Sequence, residues 1–192
     1  METLHDIAKE VHDCRKCPLF KDATHGVPGD GNEKADVFFI GEGPGAEEDK
    51  QGKPFVGAAG KFLNEMLESV AWKREDVFIG NIVKHRPPNN RDPEPEEIIA
   101  CLPYLERQLA VIKPTLIVTL GRHAMHQFLP ADFRISQEHG KVFRRHGRLY
   151  VPLYHPAAAL YHGGLRQTLI EDFQKLPKIL KKAKSIGHEE NK

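Results

Sequence analysis

Four short apolar runs punctuate this chain of 192 residues: 36–41 (DVFFIG), 77–83 (VFIGNIV), 115–121 (TLIVTLG) and 149–155 (LYVPLYH). The first three are nearly continuous in β-branched and aromatic residues, the pattern of strands covered on both faces of a parallel sheet. Between them the apolar positions switch to a helical period. Leu4, Ile7, Ala8 and Val11 share one face. So do Ala59, Leu63, Met66 and Val70 after the first strand, and Ile98, Cys101, Leu102, Leu105, Leu109 and Ile112 after the second. Asp92 beside Pro93 reads as the N-cap of that third helix, and Pro103 should kink it. Leu169, Phe173, Leu176 and Leu180 mark a closing helix interrupted by Pro177. A helix, repeated strand–helix units and a last helix predict a three-layer α/β/α fold. Its core would be a four-stranded parallel sheet with right-handed crossovers. We expect one domain over residues 1–183 and a charged, frayed tail from 184 to 192.

In open parallel sheets ligands bind beyond the carboxyl ends of the strands. Here those ends carry GEGPGAEED (41–49), Asn81 followed by KHRPPNNRDP (84–93), GRHA (121–124) and HPAAAL (155–160). Turns favour Gly, Pro and Asn in any case, but four such loops converging predict a site.

Charge narrows the partners little. There are 28 Lys+Arg against 27 Asp+Glu, so a polyanion would have to be met by a local patch. The N-terminal segment is charged throughout and lacks the apolar stretch of an export signal. No apolar run approaches the ~20 residues of a membrane span. Three Cys, an odd number, argue for reduced thiols in a cytoplasmic protein rather than a disulfide framework. Cys14 and Cys17 form a C-x2-C pair, and Cys101 follows His85 on the third helix. By spacing alone this is a Cys3His zinc site, structural because all four positions are filled.

Together these motifs closely resemble the family 4 uracil-DNA glycosylases: GEGPGAEEDKQGKPFVGAAGKFLNEML, NIVK-x-RPPNNRDP after a strand, a helix carrying a Cys, and a late HPAAAL. The resemblance runs from Cys14 to the last helix. It implies a glycosylase that flips uracil out of single- or double-stranded DNA, hydrolyses its N-glycosidic bond and leaves an abasic site for base excision repair. It implies a monomer, and a [4Fe–4S] cluster on Cys14, Cys17, His85 and Cys101, with structural zinc as the alternative. Most of the family has Cys where His85 stands. The matching substrate residues are Gly41, Gly43, Glu47, Phe55, Asn81 and His155. Phe55 would stack on the base, Asn81 read it, and Glu47 crowd C5 against thymine. His155 and Glu42 are the catalytic candidates, the first donating to uracil O2 and the second orienting water. The basic run 141–148 (KVFRRHGR), with Lys84, Arg86, Arg91 and Arg166, would hold phosphates, and Leu160 or Tyr161 would wedge into the stack. A covalent-trapping subgroup of the same superfamily carries a reactive His in a basic insertion after the second strand. The loop RPPNNRDP has neither, which predicts turnover. A phosphate-binding nest at GEGPG and a zinc-stapled interaction module are the remaining alternatives.

Overall fold

The computed structural model describes residues 2–189, with side chains through 185. Its centre is a sheet of strand order β1-β3-β2-β4-β6-β5. The four predicted strands are its middle: β3 (Phe78–Asn81), β2 (Val37–Gly41), β4 (Leu116–Leu120) and β6 (Arg148–Leu153), all parallel. The expected four-stranded sheet is widened to six by short antiparallel edges, β1 (Asp30–Gly31) and β5 (Phe143–Arg145). Both edges are mostly exposed, so no apolar run announced them.

Alternation along the strands divides the core in two. Phe38 and Ile40 face helices α1 (Leu4–His12) and α4 (Pro95–Ile112), packing with Ile7, Val11, Leu105 and Leu109. Val37 and Phe39 face α3 (Ala58–Ser69), α8 (Gly163–Phe173) and α9 (Leu176–Glu189), packing with Phe62, Leu63, Met66 and Leu169. Phe39 stacks on Phe173 with ring centroids 5.5 Å apart.

Several local expectations need correction. Helix α4 is capped by Glu94, not Asp92: Glu94 N–H donates to the Glu97 carboxylate at 2.7 Å, and Pro95 takes the first helical position. Asp92 instead pairs with Arg122 and His123. The helix runs through Pro103 without a break. The amide that Pro103 lacks would have bonded Ile99, which lies on the exposed side of the helix. Pro177 does not interrupt a helix but lies in the first turn of α9, where a missing amide costs nothing. The tail expected to fray continues as helix to Glu189, with Lys184 paired to Asp36; residues 190–192 lie outside the described residues.

Candidate active site at the strand ends

Parallel pairing of β2 with β3 sets Gly41 directly opposite Asn81. Only a residue without a side chain fits there. A Cβ on Gly41 would stand 2.5 Å from Asn81 Oδ1 and 2.6 Å from the Phe55 ring. Phe55 reaches this point from the segment between α2 (Ala46–Gln51) and α3. Its backbone is left-handed, at φ 51, a conformation costly for a side chain of this size. Arg74 holds it, donating from its guanidinium to the carbonyls of Phe55 at 3.1 Å and Pro54 at 2.5 Å. From the other side comes His155, two residues past the end of β6, whose ring centroid lies 5.6 Å from that of Phe55. Gly121, at φ 90 beyond β4, makes room for it, since a Cβ there would come within 3.2 Å of His155 Cβ.

These residues share one cavity of about 330 Å³, lined by Glu42, Gly43, Glu48, Phe55, Asn81 and His155, with Asn90 and Arg91 at its side. Asn81 is 1% exposed, and neither its Nδ2 nor its Oδ1 has a hydrogen-bond partner. A buried amide left open at both ends is able to take up a donor and an acceptor from a ligand, because polar atoms buried without partners are costly. The His155 ring is fixed differently. Ala157 N–H donates to its Nδ1 at 3.1 Å, which leaves the ring proton on Nε2. Burial pushes the His155 pKa down to about 4 despite the Glu48 carboxylate nearby, so at neutral pH it is an uncharged donor.

Of the carboxylates, Glu42 is half-buried and desolvation raises its pKa, opposed by His123, whose Nε2 lies 3.8 Å away. Glu47 is corrected by the structure. It is exposed, contacts Gln51 and does not line the cavity. Its neighbour Glu48 does, with Oε1 accepting from Val56 and Gly57 N–H at 2.8 Å and Oε2 from Gly45 N–H at 3.1 Å.

The expected phosphate contacts also move. Lys84 is buried, and burial lowers its pKa to about 8. Arg91 grips Glu97 through two bonds of 2.9 and 2.7 Å. Arg166 lies over the Phe62 ring and bonds Glu65. Residues 141–148 form most of the β5–β6 hairpin, whose tip at His146–Gly147 precedes β6. That tip therefore lies at the amino end of the sheet, opposite the cavity. Leu160 and Tyr161, 39% and 84% exposed, end helix α7 (Pro156–Tyr161), which starts just after His155.

Cys14, Cys17 and Cys101 are free thiols, buried as His85 is. Cys14 and His85 line one cavity of about 450 Å³. Cys101 is hydrogen-bonded to Cys17, lowering the Cys17 pKa to about 6 and raising its own. Burial lowers the pKa of His85, keeping the imidazole neutral as a ligand must be. Among the described residues, no three of these four donors lie within 4.8 Å of one another. Thiolates around one zinc, with Zn–S of ~2.3 Å, stand ~3.8 Å apart. Three buried thiols and a buried neutral imidazole nonetheless form a donor set that fits a thiolate-ligated metal group.

The sequence model of the Uracil DNA glycosylase superfamily matches residues 28–181. The chain is 50% identical to a type-4 uracil-DNA glycosylase of Archaeoglobus fulgidus, covering 93% of this chain and 94% of that protein. It is 48% identical to one of Saccharolobus solfataricus, over 94% and 88% of the two chains. With a third, from Thermotoga maritima, it shares 40% identity over 94% and 96%. A cavity at the strand ends with an unpartnered buried amide, and this degree of likeness, lead to one conclusion: the chain belongs to the uracil-DNA glycosylase superfamily, in its type-4 branch, and excises uracil from DNA.

Proposed function

We propose that uracil, turned out of the stack, is gripped and expelled by Phe55, Asn81 and His155 in the slot at the strand ends. Phe55 offers its ring to the base face, a contact worth ~1–3 kcal/mol by analogy with other base–aromatic stacks. The Asn81 amide gives a donor to uracil O4 and an acceptor to N3–H. Cytosine presents the reverse and would leave both partners unsatisfied. As the C1′–N1 bond breaks, its electron pair passes to the base, and the Nε2–H of His155 meets the charge growing on O2. Glu42 orients the water that adds to the sugar carbon; the water's second proton leaves toward solvent or the departing base. Glu48, locked by three amides, takes the place expected for Glu47 as a rigid wall with little give for a 5-methyl group. Tyr161, the more exposed of the two wedge candidates, enters the gap left by the base. The observation that carries this reading is the open Asn81 amide, buried between Phe55 and His155.

Gly41→Ala tests the slot without removing any functional group. The added methyl must displace Asn81 or Phe55, and misplacement of reacting groups by about an ångström can cost 10²-fold. Uracil release from DNA should fall by that order in a single-turnover assay, with thymine untouched by either protein. Full activity in this variant would place the base elsewhere.

A [4Fe–4S] cluster on Cys14, Cys17, His85 and Cys101 completes the reading, in a monomer of a reducing, cytoplasmic compartment. Bound, it would tie the segment after α1 to the β3–α4 connection; His85 supplies an imidazole where thiolate is usual. Purified protein is expected to be brown and to carry about four irons per chain, and Cys101→Ser to lose both colour and iron. Colourless wild-type protein with one zinc would remove the cluster.

A further inference from the structure

Lys84 stands three positions past the end of β3 and is 1% exposed. Its Nζ donates to Gln108 Oε1 at 2.8 Å, Asn81 O at 2.9 Å and Pro28 O at 3.3 Å. These acceptors are all neutral. Three of them around one nitrogen suit the three N–H bonds of an ammonium, whereas a neutral amine would turn its lone pair on one of them. The site is therefore built for a cation, and no charge among these partners cancels it. The cation sits behind the reading edge of the cavity. It is bonded to the backbone of Asn81, and a Cβ on Gly80 would lie 3.8 Å from it.

We propose that Lys84 is a positioning residue with an electrostatic task. It pins the peptide of Asn81 and, through that residue, directs a positive charge at the base as it departs. The leaving uracil takes the electron pair of the C1′–N1 bond and spreads the charge over N1, O2 and O4, the last being the atom assigned to the Asn81 amide. A fixed cation in a low-dielectric interior favours this charged state over the neutral bound base, which is the condition for accelerating the step. The inference rests on Asn81 reading the base.

Leaving-group dependence distinguishes this from a merely structural role. 5-Fluorouracil is a more acidic base than uracil and needs less help to depart as an anion. Single-turnover rates on DNA carrying either base would be compared for wild type, Lys84→Met and Gln108→Glu. The second variant keeps a partner for Lys84 while neutralising its charge, and decides the matter if the first does not fold. Both variants retain the Lys84 N–H bond to Cys101 Sγ, so iron content and melting temperature serve as controls on folding. Uracil release should slow roughly 10- to 100-fold, and 5-fluorouracil release by a clearly smaller factor. Equal slowing of both bases, or no slowing, overturns the proposal. An Asn81→Ala arm separates the two levels. Full activity there sinks the assignment of Asn81 itself. Loss there, with Lys84 and Gln108 variants that do not distinguish the bases, sinks only the electrostatic task.

Discussion

Asn81→Ala should lose uracil excision by about 10³-fold or more while the protein becomes no less stable. The two halves of this expectation have one cause. In the free protein the Asn81 amide is buried with both polar atoms unpaired, a cost of about 1–3 kcal/mol. Removing the amide removes that cost, so the melting temperature should stay level or rise even though a buried side chain is truncated. In the complex the balance reverses. Uracil O4 and N3–H, stripped of water in the slot, would face a methyl group, and sites built to hydrogen-bond a substrate lose 10⁴–10⁵ in discrimination when the match is absent. Rates on uracil-containing strands, set beside thermal melts of the same preparations, check both halves. A destabilised variant retaining its activity would make Asn81 an ordinary structural residue at a strand end.

How much of this was legible beforehand follows from what each residue's neighbours are. Strands β2, β3 and β4 are buried along their length and β6 over its last four residues, so the chain writes them as nearly continuous apolar runs. Gly41, Asn81 and His155 were singled out at strand ends and Phe55 by its motif, and the structure brings the four together. The Glu47–Glu48 error is one of helical phase. Both belong to the first turn of α2, and only the start of that helix at Ala46 decides which carboxylate turns inward. The spacing itself carries the signal: with Gly45 as N-cap, Glu48 takes the capping-box position three residues on and accepts from the Gly45 amide. Lys84 and the 141–148 run were misread for a related reason. Basic residues near a presumed nucleic-acid site look like phosphate contacts, yet burial of Lys84 depends on Pro28 and Gln108, distant in the chain. The hairpin's position depends on which end of β6 it joins. The His123–Asp92–Glu42 contacts likewise join three segments that no local pattern links.

His155→Ala should lower the single-turnover rate by about 10²–10³-fold, the usual consequence of removing one donor to a developing oxyanion, with substrate binding changed far less. The form of the histidine makes the pH behaviour specific. Because burial holds its pKa near 4 and Ala157 N–H occupies Nδ1, the ring is already neutral, with its proton on Nε2, at pH 7. The wild-type rate should therefore show no step at about 6.5, the ordinary value for histidine. Desolvation raises the Glu42 pKa, so an acidic limb is expected from that carboxylate rather than from His155. Stability carries the matching sign. Above pH ~6.5 the imidazole is neutral in folded and unfolded chains alike. As pH falls from there to about 4 the unfolded chain takes up a proton that the folded one refuses, so wild type loses stability across that window. His155→Ala lacks this linkage and should lose less over the same range. Denaturation midpoints of both proteins between pH 7 and 4, read against the pH–rate profile, test the claim. A rate that rises with protonation near 6.5 would mean a cationic His155 and a different way of stabilising the departing base.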